Sequence, residues 1–186
     1  WPPFEYVDEE SKEIIGFDID LINAVAAEQG IEIEIVPVEW DALLAGVSQC
    51  QYDAAISAIT ITEDRKETML FSNPYIAAGQ VVTIVAGDDR IGGPADLGGM
   101  VVGAQIGTTG AIEVEGMEGA TLKTYDSVDL AYLDLSNGQI DAVVADYPTA
   151  YAFVGQSGGE LALVGDVFTD ENYGIAVRSG GEVELY

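Results

Sequence analysis

The chain has 186 residues with 6 Lys+Arg against 33 Asp+Glu, a formal charge of −27, and no histidine. So acidic a chain repels phosphate backbones and anionic membrane surfaces, and zero histidine excludes Ser-His-Asp and Cys-His catalysis and imidazole-ligated metals. A hydrophobic content of 48% excludes intrinsic disorder and gives enough apolar residues for one domain or two small ones. The acids are scattered, which reads as a solvated, self-repelling surface suited to high salt.

The opening Trp1-Pro2-Pro3-Phe4 reads as a mature or trimmed start. Asp20 to Gln29 is predicted as a helix, with Leu21, Ile22, Val25 and Ala26 on one face and Gly30 as its stop. Ile31 to Val38 alternates apolar and acidic residues and predicts a strand with one buried face. Trp40 to Gln49 predicts a second helix and Ala54 to Ala58 a short buried strand. Thr62 is placed to cap a helix over Glu63 to Glu67, and Val81 to Ala86 is a strand. Cys50 is alone, so it forms no internal disulfide, and nothing nearby activates it as a nucleophile.

The second half repeats the alternation. Strands are predicted at Met100 to Ala104, Leu122 to Tyr125, Ala142 to Ala145, Leu161 to Val164 and Tyr173 to Val177. Helices are predicted from Thr108 to Glu115, from Ser127 to Asn137, and after Pro148. No apolar run approaches the ~20 residues of a membrane span. Alternating strands and helices imply α/β architecture with parallel sheets; a coarse Gly/Asp-rich break falls near Gly87 to Gly99, and two small lobes fit the length better than one uninterrupted sheet.

Four constellations carry chemistry. Arg65 follows Thr60 just beyond a buried strand, where a guanidinium can grip a carboxylate in two parallel bonds; the plainer role is pairing with Glu63 or Asp64. Gly103 to Gly110 reads as strand, glycine turn and helix start, a place for a carboxylate at the first amides of the helix, although a plain turn is the commoner outcome. Asp146 ends the strand Ala142 to Ala145 and can pair an ammonium group, cap the following helix, or do both. Trp1 and Trp40 offer aromatic faces to a flat or cationic side chain, whereas Phe4 reads as core. A cationic group, a helix start and an acid together complement a zwitterion such as an α-amino acid.

Gly16-Phe17-Asp18-Ile19-Asp20-Leu21 followed by Val25-Ala26, the run from Tyr52-Asp53 to Arg65, Phe71-Ser72-Asn73-Pro74-Tyr75, Gly107-Thr108-Thr109 and Asp146 occur in an order that resembles the amino-acid-binding extracellular solute-binding proteins of ABC importers, family 3. Gln29 departs from the usual small or aliphatic residue of the signature. The resemblance implies a two-lobed periplasmic-binding-protein type II fold, each lobe a mixed, mostly parallel sheet flanked by helices, with two crossovers as the hinge. It implies lobe 1 at 1–79 plus 175–186 and lobe 2 at 82–172. It puts Arg65, Thr60, Thr108 and Thr109 on a ligand carboxylate, and Asp146 with the Ala58 carbonyl on its ammonium. Trp1 and Trp40 would flank the ligand side chain, with Ser57 and Gln105 nearby. Asp18 and Asp20 belong to the structural signature and are not site residues.

The same resemblance implies no catalytic residue, cofactor or metal, an ABC permease as partner, and a periplasmic or extracellular location, with a lipid anchor on the full-length protein. The two tryptophans, Gln105 and the negative charge point to arginine, lysine or glutamine in the cleft between lobes. A sensor domain and a cyclohexadienyl-dehydratase-like enzyme share the fold and are the alternatives. The pattern lacks the family's first strand and last helix, so lobe 1 is expected to be incomplete and the chain to self-associate or be partly unfolded.

Overall fold

A computed structural model describes residues 1–179. The chain divides into two compact units, one formed by Trp1–Ala77 with the chain from Asn172 onward, the other by Ala78–Glu171. No helix among the described residues is long and apolar enough to cross a membrane.

The first unit begins with a short antiparallel pair, β1 (Tyr6–Val7) and β2 (Ile14–Ile15). Helix α1 (Phe17–Gln29) follows, then α2 (Trp40–Ser48), β3 (Ala54–Ala55), α3 (Glu63–Lys66), β4 (Met69–Phe71) and β5 (Ile76–Ala78). Gly16 precedes α1 at φ 134°, and a Cβ there would run into the Phe4 carbonyl oxygen, so the signature glycine lets the N-terminal loop lie against the helix start. Gly30 ends α1 in the left-handed conformation, its N–H bonded to the Ala26 and Ala27 carbonyls, as its place in the sequence predicts.

The second unit holds β6 (Gln80–Val85), β7 (Val101–Gln105), α4 (Thr109–Gly116), β8 (Thr121–Tyr125), α5 (Val128–Ser136), β9 (Ala142–Asp146), α6 (Tyr147–Gln156) and β10 (Leu161–Val164). These strands form one five-stranded sheet in the order β10-β6-β9-β7-β8. Its β7 pairs parallel with β8 and β9, whereas β6 pairs antiparallel with β9 and β10. Val82, Ile84, Val102, Ala142 and Val144 from this sheet pack with Ile91, Leu97 and Val114 into the core of the unit.

The chain closes with β11 (Glu171–Tyr173) and β12 (Ala176–Arg178). Strand β12 lies antiparallel between β3 and β4, so every described pairing in that sheet of the first unit is antiparallel, against the expectation of mostly parallel sheets. Val47 of α2 packs there with Ala55, Ile59, Met69 and Ala176. A second patch of the same unit is aromatic: Phe4 meets Phe17 and Tyr173 edge-on, and Phe17 stacks on Tyr75.

Three expected strands differ. Ile31 to Val38 has the alternation of a strand but forms none, because among the described residues no strand pairs with it, and unpaired backbone gains nothing from the extended ladder. Its Ile31, Ile33, Ile35 and Val36 side chains are exposed. Ala54 to Ala58 is a strand only at its first two residues, because Ala58 turns to φ 46°. Tyr173 to Val177 splits in two, because Gly174 bonds to the Ile59 carbonyl and Ile175 exchanges bonds with Ser72. The expected absence of a last helix falls partly on 180–186, outside the described residues.

Candidate functional site

In the first unit, the segment from Ala58 to Ile61 runs against the chain at 172–174 through the Thr60–Tyr173 bridge and the bonds of Ile61 and Gly174. Thr60 is buried there. Thr62 caps α3, its hydroxyl accepting the Arg65 N–H at 3.2 Å, which fixes where the Arg65 side chain starts. The guanidinium returns to the loop, Nη1 donating to the Thr60 carbonyl at 2.7 Å, and lies 5.4 Å from the centre of the Trp40 ring. Trp40 opens α2 and stands half-buried. Glu63, the plainer partner for Arg65, pairs with Lys66 at 2.7 Å.

Ala58 donates its N–H to Asp18 Oδ2 at 2.7 Å, and the Tyr75 hydroxyl donates to the same oxygen at 3.0 Å. Asp18 is fully buried, and burial raises its carboxyl against the opposing pull of these two donors. Asp20 is exposed. The signature aspartate therefore fixes the backbone of a predicted site residue.

Ser57 donates to Glu5 Oε1 at 2.6 Å, while Glu5 Oε2 is buried with no hydrogen-bond partner among the described residues. The Trp1 amino group stands 3.7 Å from Oε1. Burial pushes the Glu5 carboxyl up to about 7, opposed by that amino group and by Ser57. Trp1 is half-buried, and its indole Nε1, like that of Trp40, is buried without a partner among the described residues. Glu5 is absent from the residues singled out by sequence; its only mark there is an acid directly after the aromatic Trp1 to Phe4 run.

In the second unit, Thr108 caps α4, accepting from Ala111 N–H at 3.3 Å and donating to the Gln105 carbonyl at 2.7 Å. The glycine turn and helix start read from the sequence are therefore present, with Gly107 at φ 72°. Gln105, at the end of β7, turns its amide to the Asp126 carbonyl at 3.1 Å. The Thr109 hydroxyl donates to Glu171 Oε2 at 2.7 Å. Asp146 occupies the cap position of α6 but makes no side-chain cap bond; its Oδ1 accepts instead from Gln80 Nε2 at 2.6 Å. The capping role offered for Asp146 is thus not realised, because a closer donor across the sheet takes the carboxylate. Gln80 and Glu171 also escaped the sequence reading, although a glutamine opening the mostly apolar run Val81 to Val85 is a legible oddity.

The first unit thus brings together Trp40, Thr60 and Arg65, and separately Ser57, Ala58 and Trp1 around Glu5 and Asp18. The second unit brings together Thr109 and Asp146 around Gln80, and Gln105 with Thr108.

The model of the bacterial extracellular solute-binding proteins, family 3, matches residues 1–150. The L-cystine-binding protein TcyJ of Escherichia coli strain K12 is 31% identical over 184 residues, covering 98% of this chain and 69% of that protein. The arginine-binding periplasmic protein of Mannheimia haemolytica is 36% identical over 175 residues, 93% of this chain and 70% of that one. The arginine-bound form of truncated ArgBP from T. maritima superposes with a TM-score of 0.90 at 43% identity, over 96% of this chain and 84% of that one. The chain belongs to the bacterial extracellular solute-binding proteins, family 3.

Proposed function

We propose that this chain binds a free L-α-amino acid with a cationic side chain, arginine first, and delivers it unchanged to the permease of an ABC importer. Arg65, held by the Thr60 carbonyl and the Trp40 ring, suits a carboxylate. Thr108 and Thr109 at the start of α4 suit the same group. Asp146 and the Ala58 carbonyl suit the α-ammonium. The cationic preference is carried by Glu5: a carboxylate oxygen buried without a donor among the described residues, beside Ser57 and Trp1, favours a ligand that brings its own positive charge. Trp1, Trp40 and Gln105 accompany it as side-chain contacts. Relatives that bind arginine by name, among them the T. maritima protein, support the choice.

We take the two units as the two binding lobes. The exposed Ile31, Ile33, Ile35 and Val36 favour association of one copy with another, which light scattering reads directly. Calorimetric titration with the twenty amino acids tests the binding reading. Arginine is expected to bind tightest, with lysine next; preference for an aliphatic or acidic amino acid would refute it. Recovery of the ligand unaltered after incubation separates carriage from catalysis.

A further inference from the structure

We infer that Gln80 is a positioning residue for α-ammonium recognition: its amide lies between two buried carboxylates of the second unit and fixes Asp146. The inference rests on the reading of Asp146 given above. Gln80 opens β6 in register with Asp146 on β9, and its side chain is fully buried. Its Nε2 stands 2.6 Å from Asp146 Oδ1, 3.1 Å from Glu171 Oε1 and 3.1 Å from Thr109 Oγ1. Asp146 is 4% exposed and Glu171 8%. Thr109 donates to the far oxygen of Glu171 at 2.7 Å; Thr169 donates to the near one at 2.8 Å and accepts the Gln80 N–H at 2.8 Å. One side chain therefore ties together Thr109 and Asp146, two of the residues that the second unit offers to the ligand.

Packing alone does not ask for a glutamine here. Of the β6 positions that follow, Val81, Val82 and Ile84 are apolar and the one buried polar residue, Thr83, pairs with the Tyr132 hydroxyl, whereas the Gln80 Oε1 is buried with no partner among the described residues. Leaving that oxygen unsatisfied is unfavourable, and the amide still keeps its NH2 toward the carboxylates, because the reverse orientation would set an oxygen against two more. Helix α4 closes down on the same group: a Cβ on Gly110 would lie 2.7 Å from Oε1. Two carboxylates within reach of one nitrogen repel each other, and a donor between them offsets part of that repulsion. The neutral amide supplies that donor without adding charge.

The test is calorimetry of L-arginine and of 5-guanidinopentanoate, the same molecule without its α-ammonium, on wild type and Q80M. Q80M is expected to weaken arginine about tenfold and the deaminated compound by less than about twofold. Adding E171Q to Q80M is expected to restore most of the arginine affinity, by removing the like charge and supplying an amide. Equal weakening of both ligands, or no weakening, would overturn the inference. If circular dichroism shows Q80M unfolded, Q80N decides by the same two ligands, since its amide is one methylene too short to reach both carboxylates. Wild type that binds arginine beside a variant without selectivity refutes this inference alone; wild type that binds no amino acid refutes the proposed function and this with it.

Discussion

Asp18 accepts the N–H of Ala58 at 2.7 Å across 40 positions of sequence, and this one bond joins the start of α1 to the loop that carries Ser57, Ala58 and Thr60. Ala58 sits at φ 46°, a conformation disfavoured for a residue with a Cβ, so something outside the loop must hold it. Asp18 does, and it also receives the Tyr75 hydroxyl. Asp18→Ala orphans one buried and one half-buried donor and is expected to cost about 2–4 kcal/mol of stability. Asp18→Asn, which keeps an accepting oxygen, should cost less. Differential scanning calorimetry reads both; a melting temperature unchanged in Asp18→Ala would remove this role.

How much of this was legible in the sequence differs from residue to residue. The α1 stop at Gly30 and the Thr62 cap follow from local chemistry, and the sequence placed them because their partners lie within a few positions. Asp18, Glu5, Gln80 and Glu171 act across tens of residues, and no spacing rule reports such pairings. Ile31 to Val38 shows the opposite failure: its pattern is that of a strand, but a strand is made by its neighbour as much as by itself. The antiparallel sheet of the first unit escaped for a similar reason, since β12 joins it from the far end of the chain.

Arg65→Ala should abolish amino-acid binding, because the proposed carboxylate loses its charged partner. Arg65→Lys tests geometry rather than charge. A lysine reaching the same place keeps the positive charge but loses the planar fork that bonds the Thr60 carbonyl and lies over Trp40. It is expected to lower affinity about tenfold or more in calorimetric titration. Full affinity in Arg65→Lys would mean that the fork is not used, and full affinity in Arg65→Ala would remove Arg65 from the site.

Glu5 should make stability and arginine binding respond to pH with opposite signs. Its carboxyl holds a proton more tightly folded, at about 7, than at its ordinary 4.5, so the stability it contributes is present below 4.5 and lost as pH rises through about 7. Asp18, raised in the same direction, adds to the trend. The ligand-free protein should therefore melt at a lower temperature near neutrality than in mild acid. If arginine binds at Glu5 as proposed, it selects the ionised carboxylate, so its affinity should improve as pH rises through about 7 and level off above, with a proton released on binding. Glu5→Gln should flatten both profiles and weaken arginine on the alkaline side. Calorimetry in buffers of different ionisation heat counts the proton; a wild-type affinity that ignores pH across this window would sink the role of Glu5.

The charge of −27 makes a separate prediction. Lys66, Arg90, Lys123 and Arg178 each meet an acid, but these pairs are exposed or half-exposed and add little. The acid majority repels itself in the folded state more than in an expanded one, and salt shortens that repulsion from about 10 Å of reach at 0.1 M to about 3 Å at 1 M. The melting temperature should rise as NaCl is added and most of the rise should be complete within a few tenths molar, where screening acts. A rise that instead continues linearly into molar salt marks exclusion of the salt from the protein surface, and a fall marks ion pairs that outweigh the repulsion.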